Sequence, residues 1–334
     1  LYIIQDQEKL SWFVSHNYRR IKVMSFFIIG TQNSGSNFLR FMLNKIEEVA
    51  TPNPPHILQR MMPLIPTYGD LQQLDSFKTL VDDVCRLVEL NNIPWQSVKL
   101  ERDEVISRCQ ENSLVAVFAA VYDIIAETWG VQKWCCQSLD NIFYAPEITK
   151  YLDNAKFIYL CRDGRDVALS RQKAVSGRKH IYNFAQEWVQ EQHLALKLQE
   201  NLREDRFYSI SYEEITSNPQ QILQDLCDFM EVESEATVSN SLFDDFTQLI
   251  SLQNTQKFLK YSSNEELRIF ESVAGDILDV LGYERVSIAP GQEIEFSPVD
   301  IHQFNRINRE KLSSYRYARG NSNNSSKLGR RIDD

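Results

Sequence analysis

A short apolar strand that runs into a glycine- and serine-rich turn, and then into a helix, constrains this chain more than any other feature. Residues 25–29 are mostly apolar, as expected for a strand buried on both faces of a parallel sheet. Apolar residues then recur at helical spacing over residues 38–46. Between them, Gly30 and Gly35 allow a tight turn, and N–H groups at the helix start can bind an anion. The pattern predicts a phosphorylated ligand near residues 31–38.

The spacing of this loop is similar to that of the Walker phosphate loop, G-x-x-x-x-G-K-[ST], but the two loops differ at functional positions. Ser36 stands where the Walker lysine would be, and Asn37 replaces the hydroxyl residue that holds magnesium. A kinase or ATPase would lack both its charge clamp and its metal ligand, which disfavours that function. Glycine and serine also form ordinary turns, so the loop alone leaves a purely structural role open.

The composition limits the class of protein. The 334 residues are 43% hydrophobic and 25% charged, which is typical of a soluble globular protein with one sizeable core. The net charge of −10 argues against a nucleic-acid partner, because such proteins bind by neutralising phosphates. No apolar run approaches the roughly 18 residues of a membrane span, and the N-terminus shows no signal-peptide pattern. We therefore expect no membrane partner and a cytoplasmic location.

We predict one domain over residues 24–290 with a segment on each side. Residues 1–23 show no clear period and end just before a methionine, so we interpret them as an N-terminal extension that need not be native; an edge strand or helix is the alternative. Residues 291–334 form a C-terminal segment, whose part from Ser314 has the composition of a flexible, solvated tail. The six cysteines lack metal-type spacing, and we interpret them as reduced thiols.

Strands and helices alternate along the chain, which predicts a three-layer, P-loop-like α/β fold with a central parallel sheet flanked by helices. Helices are predicted over residues 71–90 and 113–129, and short strands over residues 133–138 and 157–161. Three prolines in residues 51–56 exclude helix and strand there.

A second motif suited to phosphate follows a buried strand. Residues 162–166 read Arg-Asp-Gly-Arg-Asp. Arg162 comes at the carboxyl end of a parallel strand, where open α/β folds bind ligands, and a guanidinium offers a rigid fork of donors to phosphate. Ser170 is predicted about two turns into the next helix, on the same side. The alternative is that the two arginines of the motif pair with its two aspartates at the surface.

Together, the two motifs resemble those of the sulfotransferases that use 3′-phosphoadenosine 5′-phosphosulfate (PAPS). The sequence Tyr-Ser-Ile-Ser-Tyr-Glu-Glu-Ile at residues 208–215 adds to a resemblance that extends over residues 25–283. In this family the first loop holds the 5′-phosphosulfate, and the arginine and serine of the second motif hold the 3′-phosphate. The resemblance implies sulfuryl transfer from PAPS as co-substrate to a hydroxyl, or to an amine or carbamate nitrogen, of a small-molecule acceptor.

The resemblance also assigns roles to individual residues. It implies that Tyr212 lies near the adenine and that Lys257 reaches the 3′-phosphate together with Arg162 and Ser170. Residues 54–58 and 68–71 are particularly similar to cyanobacterial-type enzymes of natural-product pathways, including saxitoxin sulfation. The loop residues assigned to the phosphosulfate are Gln32, Asn33, Ser34, Gly35, Ser36, Asn37 and Phe38.

Two positions depart from the family pattern. Asn33 stands where the family usually has lysine or arginine, and Gln137 stands where a second basic residue is frequent. Such cations stabilise the charge that develops on the bridging oxygen as the sulfuryl group leaves. A nucleotide-binding pseudoenzyme with little or no turnover is therefore the alternative function. Lys133, Arg40 and Lys173 are candidates to supply the missing charge.

The reaction also needs a base that takes the proton of the acceptor. His56 is our first candidate, because it follows a rigid proline segment and histidine titrates near neutrality. A capping or packing role for His56 is the alternative. Asp70 and Glu147 are weaker candidates, and His180 and His193 are expected to face solvent. We expect no required metal, because no His, Cys and carboxylate cluster has metal-ligand spacing.

Overall fold

The computed structural model of the protein describes residues 23–173, 179–233 and 255–329; for residue 173 and residues 315–329 it describes the backbone alone. The N-terminal extension predicted over residues 1–23 therefore lies outside the described residues, apart from Val23.

Five strands form one sheet in the described part of the chain, in the order β2-β3-β1-β4-β5. β2 pairs with β3 in parallel, with Val49 opposite Lys133. β4 pairs with β5 in parallel, with Phe157 opposite Phe207. The predicted strands at residues 25–29, 133–138 and 157–161 are confirmed as β1, β3 and β4. The strands are β1 (Met24–Gly30), β2 (Val49–Ala50), β3 (Lys133–Gln137), β4 (Lys156–Cys161) and β5 (Phe207–Ser211).

Helices alternate with the strands, so the predicted α/β fold with a central parallel sheet flanked by helices is confirmed. Short 3-10 helices cover Met62–Tyr68, Leu139–Tyr144 and Glu204–Arg206. The α-helices are α1 (Ser36–Leu43), α2 (Ile57–Met61), α3 (Leu74–Glu89), α4 (Arg102–Arg108), α5 (Leu114–Thr128), α6 (Ala145–Tyr151), α7 (Gly164–Lys173), α8 (Ile181–Asn201), α9 (Tyr212–Ser217), α10 (Pro219–Met230), α11 (Phe258–Tyr261), α12 (Asn264–Val280) and α13 (Pro298–Gly329).

The chain divides into two compact units, each with its own core. Among the described residues, the first unit comprises residues 23–27, 40–138 and 146–156. Its core contains an aromatic cluster in which Phe27 meets the edge of Trp134 at 5.3 Å between ring centroids. Aromatic pairs in such edge-to-face contact add about 0.5–1.5 kcal/mol to the free energy gained from burial. The indole N–H of Trp134 donates to Asp123 at 2.8 Å, so the buried ring keeps a polar partner.

The second unit contains the described residues of 28–39, 139–145 and 157–329. Its core includes Trp188 and Phe270, which are both fully buried. Gly164, the first residue of α7, lies against these rings, because a Cβ added there would come within 2.6 Å of Phe270 and 2.7 Å of Trp188. Only glycine fits at this position, and the contact fixes where α7 begins after the Arg162 motif.

The C-terminal helix α13 covers much of the segment that the sequence predicted as a solvated tail. Its first half is packed: the Asn308 side chain accepts hydrogen bonds from the N–H groups of Lys179 and His180 at 2.7 and 3.1 Å. The ring of Phe304 stacks on His180 at 4.6 Å. The prediction that His180 faces solvent is therefore wrong, and burial lowers its pKa. His193 is exposed, as predicted.

Candidate functional site

The predicted phosphate loop connects β1 to α1 and is shaped by three unusual backbone conformations. Gly30 has a φ of 141°, and a Cβ there would lie 2.2 Å from the Leu160 carbonyl oxygen on β4. Gly35 has a φ of 98°, and Asn33 has a φ of 72° in the left-handed region. Glycine adopts such conformations freely, and asparagine tolerates the left-handed region better than most residues. The loop geometry therefore explains these residue types.

Within the loop, one buried hydroxyl makes no hydrogen bond in the described part of the chain. Ser34 is fully buried, and its Oγ makes no hydrogen bond to any residue that the structure describes. A buried polar group without a hydrogen bond is costly. The loop leads directly into α1, which begins at Ser36, and the N-terminus of a helix favours anions. These groups suit a phosphate or sulfate and carry no positive side-chain charge of their own.

Arg162, Tyr212 and the loop are in direct contact. Arg162 is only 7% exposed, and its Nη1 donates to the carbonyl oxygen of Asn33 at 3.1 Å. Its guanidinium also lies over the Tyr212 ring, 4.3 Å from the centroid. The same ring packs against Gly35, where a Cβ would come within 2.3 Å of the ring carbon Cδ2. The structure thus brings together three of the predicted nucleotide-binding elements.

Arg165 has a different environment from Arg162. Its guanidinium pairs with Asp163 at 2.7 Å and with Glu271 at 2.7 Å, and all three side chains are buried. Glu271 also accepts hydrogen bonds from the backbone N–H groups of residues 286–288 at 2.7–3.2 Å. The alternative of surface pairing is therefore wrong for Arg165: it does pair with an aspartate of its motif, but inside a buried network.

The segment that contains Lys257 is fastened to the start of α7. The Asp166 carboxylate accepts a hydrogen bond from the Phe258 N–H at 2.9 Å, and burial raises the pKa of Asp166. The Arg165 guanidinium lies over the Phe258 ring at 4.0 Å. Lys257 is half-buried at the start of α11. Ser170, also half-buried, lies on α7 one turn after Asp166 and so shares its face of the helix.

Polar side chains that the sequence did not predict hold the first two residues of the loop. Gln192 on α8 donates to the Thr31 hydroxyl at 2.8 Å. Gln32 donates to Asp140 at 3.2 Å. The neighbouring Glu191 is buried and hydrogen-bonded to Thr31, and desolvation is the main reason that its pKa rises to about 8. These partners lie 108 to 161 residues away from the loop, so no local pattern in the sequence identifies them.

His56 and Gln137 belong to the first unit, where Gln137 is the buried last residue of β3. His56 has a φ of 56° and occupies the residue before α2, yet its side chain makes no capping hydrogen bond there. Instead, its Nδ1 lies 2.9 Å from the Oγ of the buried Ser138. The capping alternative is therefore wrong for the side chain. A hydroxyl can donate to Nδ1 or accept from its N–H, so Ser138 orients the ring and is compatible with both imidazole tautomers.

The remaining candidates for the missing positive charge and for the base lie elsewhere on the two units. Lys133 pairs with Glu48 at 3.5 Å at the start of β3, about 13 Å along the strand from Gln137 at a rise of about 3.3 Å per residue. Asp70 and Glu147 are exposed. Arg40 is half-buried on α1, and the side chain of Lys173 lies outside the described residues.

Two further findings concern the described residues alone. None of their helices combines the length and apolar character that crossing a membrane requires. They contain no group of three or more His, Cys, Asp and Glu side chains arranged to hold a metal ion.

Comparison with known proteins gives a clear family match. The sequence model of the sulfotransferase family matches residues 25–236, more than half of the chain. Comparison with curated proteins gives no match.

Solved structures also match. The sulfotransferase domain of the Synechococcus PCC 7002 olefin synthase is 17% identical, with 78% of this chain and 94% of that domain covered and a TM-score of 0.49. The sulfotransferase domain from the curacin biosynthetic pathway is 19% identical, with 79% and 99% covered and a TM-score of 0.48. Sulfotransferase STF9 from Mycobacterium avium is 11% identical, with 82% and 81% covered and a TM-score of 0.47.

Proposed function

Because this chain belongs to the sulfotransferase family, we propose that it transfers the sulfuryl group of PAPS to a hydroxyl or to an amine or carbamate nitrogen of a small molecule. The observation that carries the choice of donor is the hydrogen bond from Arg162 to the Asn33 carbonyl at 3.1 Å. It joins the predicted 3′-phosphate residue to the predicted phosphosulfate loop. PAPS carries phosphate groups at both ends of its ribose, so a donor of that shape fits two adjacent anion-binding elements.

In this proposal the loop residues 32–38 bind the phosphosulfate. The buried Ser34 hydroxyl and the N-terminus of α1 supply donors to the anion. Arg162, Ser170 and Lys257 bind the 3′-phosphate, and the guanidinium of Arg162 offers a charge-assisted, bidentate contact that a neutral side chain lacks. Tyr212 presents an aromatic ring beside them, suited to contact with the adenine.

The chemical step forms a bond from the acceptor atom to sulfur and breaks the bond from sulfur to the bridging oxygen. Adenosine 3′,5′-bisphosphate leaves with the electron pair, and the acceptor proton goes to a base. His56 is our candidate for that base. If Nδ1 carries the ring proton and donates to Ser138, Nε2 bears the lone pair that accepts a proton. Ser138 would then accept from Nδ1 and orient the ring.

The donor assignment is tested by calorimetry with adenosine 3′,5′-bisphosphate and, as a matched control, adenosine 5′-monophosphate, which lacks the 3′-phosphate. We expect the bisphosphate to bind and to raise the melting temperature, because a ligand of the native state stabilises it. The monophosphate should bind at least about tenfold more weakly, the effect of losing one good charged contact. Equal binding of both nucleotides would remove the assignment of Arg162, Ser170 and Lys257.

A pseudoenzyme that binds nucleotide without turnover is the second candidate. It is favoured by the neutral side chains of Asn33 and Gln137, where relatives carry cations that stabilise the leaving group. A screen for sulfate transfer distinguishes the two. It should include hydroxyl, amine and carbamate acceptors, among them a saxitoxin, because residues 54–58 and 68–71 resemble enzymes that act on such natural products. Transfer to any acceptor at a rate above that without protein excludes the pseudoenzyme.

A further inference from the structure

A directed set of hydrogen bonds lies behind the first residue of the phosphate loop. The Tyr159 hydroxyl donates to the carbonyl oxygen of the Gln192 amide, and the amide NH₂ group of Gln192 donates to the Thr31 hydroxyl oxygen at 2.8 Å. The other partner of the Thr31 hydroxyl is the Glu191 carboxyl. Glu191 thus ends a set of bonds that begins on β4 and fixes the orientation of Thr31.

Glu191 is 5% exposed, and its Oε2 makes no hydrogen bond to any residue within the described ranges. Four charged or titratable groups face it from the elements around it. Arg171 on α7 favours its ionised form, whereas Glu187 on α8 and Asp140 on the 3-10 helix oppose it. Tyr159 on β4 is the fourth. Desolvation exceeds the other effects and raises the pKa of Glu191 to about 8, so the buried carboxyl is mostly neutral at pH 7.

Glu191 contacts the loop through Thr31, so a negative charge on Glu191 would repel an anion bound by the loop. Charges interact more strongly in a protein interior than in water, and a like charge nearby favours protonation of a carboxylate. A dianionic ligand in the loop therefore makes the neutral carboxyl more favourable still. By linkage, such a ligand must bind more weakly wherever Glu191 is ionised in the free protein.

We propose that Glu191 is a positioning residue of the phosphate loop, that it acts through Thr31, and that the loop binds its anion more tightly when Glu191 is in the neutral form. This inference rests on the proposed function, because it takes the loop as the site of the 5′-phosphosulfate. Binding above neutral pH then takes up a proton from solvent. At alkaline pH, an ionised Glu191 then weakens the binding of the product, adenosine 3′,5′-bisphosphate.

The test is the dissociation constant of adenosine 3′,5′-bisphosphate, measured by calorimetry from about pH 7 to about pH 9.5. The charge on the ligand is nearly constant there, because the second ionisation of a phosphate monoester lies near pH 6. We expect affinity of the unaltered protein to fall about tenfold over this range, the change that follows if the ligand raises the pKa of Glu191 by about one. Glu191→Gln, which resembles the neutral acid, should bind with nearly constant affinity.

Glu200→Gln is the matched control, because Glu200 is exposed on the last turns of the same helix and its loss changes the net charge equally. It should keep the pH dependence of the unaltered protein. A pH-independent affinity of the unaltered protein, or the same pH dependence in Glu191→Gln, overturns the inference and leaves the proposed function standing. Failure of the unaltered protein to bind at any pH overturns both.

A second measurement needs no variant and so does not depend on the folding of Glu191→Gln. Binding heats of the unaltered protein at about pH 8.5, in two buffers with different ionisation enthalpies, give the number of protons taken up. Uptake of a fraction of one proton supports the inference. Uptake of none contradicts it.

Discussion

The phosphate loop and the His56 segment both contain residues in left-handed backbone conformations, but they are held in different ways. Each of four loop residues is contacted by a distant residue of the same unit. The His56 side chain makes a hydrogen bond to Ser138, 82 residues along the chain. The four loop contacts join Thr31 to Gln192, Gln32 to Asp140, Asn33 to Arg162 and Gly35 to Tyr212.

The difference indicates how each region works. A loop fixed from several sides has its donors in position before the ligand arrives, which lowers the entropy cost of binding. His56 needs the correct tautomer and protonation state more than a rigid surrounding. Variants of the loop region should therefore change nucleotide binding first. Variants of the His56 region should change turnover and leave nucleotide binding intact.

Arg165→Ala has the largest expected effect on the stability of the second unit. It leaves the buried carboxylates of Asp163 and Glu271 without their cation, and we expect a loss of about 3–5 kcal/mol in the free energy of unfolding. Denaturant titration measures this loss. Arg203→Ala is the control, because the Arg203 side chain is 80% exposed and pairs with Asp205 at the surface. A loss in Arg165→Ala below about 1 kcal/mol, typical of exposed pairs, would contradict the buried network.

Arg162→Ala tests whether the loop region governs nucleotide binding. We expect the bisphosphate to bind about 2–4 kcal/mol more weakly, because its 3′-phosphate loses a charge-assisted partner. Calorimetry measures the dissociation constant, and Arg162→Lys, which keeps the charge but not the fork, should lose less. An unchanged dissociation constant in Arg162→Ala would assign this arginine a purely structural role.

His56→Ala tests whether the His56 segment governs turnover. If His56 is the base, we expect kcat to fall about 100-fold, the lower range for loss of general base catalysis, with an unchanged dissociation constant for the bisphosphate. Ser138→Ala should lower kcat less, because the imidazole remains but loses the hydroxyl that orients its ring. His193→Ala, at an exposed position, is the control. A full rate in His56→Ala would direct the search to Asp70 or Glu147.

Asn33→Lys has the smallest expected effect on stability. It tests whether backbone geometry or charge matters more at this position of the loop. At a φ of 72°, we expect lysine to cost about 1 kcal/mol in the free energy of unfolding, because it tolerates the left-handed region poorly. The added cation should raise kcat while bisphosphate affinity changes little, since charge that develops in the transition state is stabilised. Asn33→Gly accepts this φ without adding a charge, so it separates the effect of backbone strain from the effect of the cation. Gln137→Lys tests the second neutral position. A lower kcat in Asn33→Lys would show that the asparagine geometry matters more than charge.

The strands were predicted closely because β1 and β4 are buried on both faces, which leaves continuous apolar runs in the sequence. β2 has two residues and α4 has seven, too few to show a period, and neither was predicted. The turn from β1 into α1 was predicted from its glycines, whose role is local. Glu191 and Gln192 escaped prediction because their contact with Thr31 depends on how distant segments fold together. For the same reason, the sequence did not predict the buried pairing of Arg165 with Glu271.

The ion pair between Arg165 and Glu271 joins residues 106 positions apart. A ribosome adds about 5–20 residues per second, so Glu271 emerges about 5–20 s after Arg165. Throughout that interval the nascent chain contains the loop and the whole Arg162 motif without the carboxylate that completes the buried network. The family match ends at residue 236. A protein shortened to that boundary would also lack Glu271, so its buried network would stay incomplete. Nucleotide binding should therefore be acquired late in synthesis, after the chain has passed residue 271.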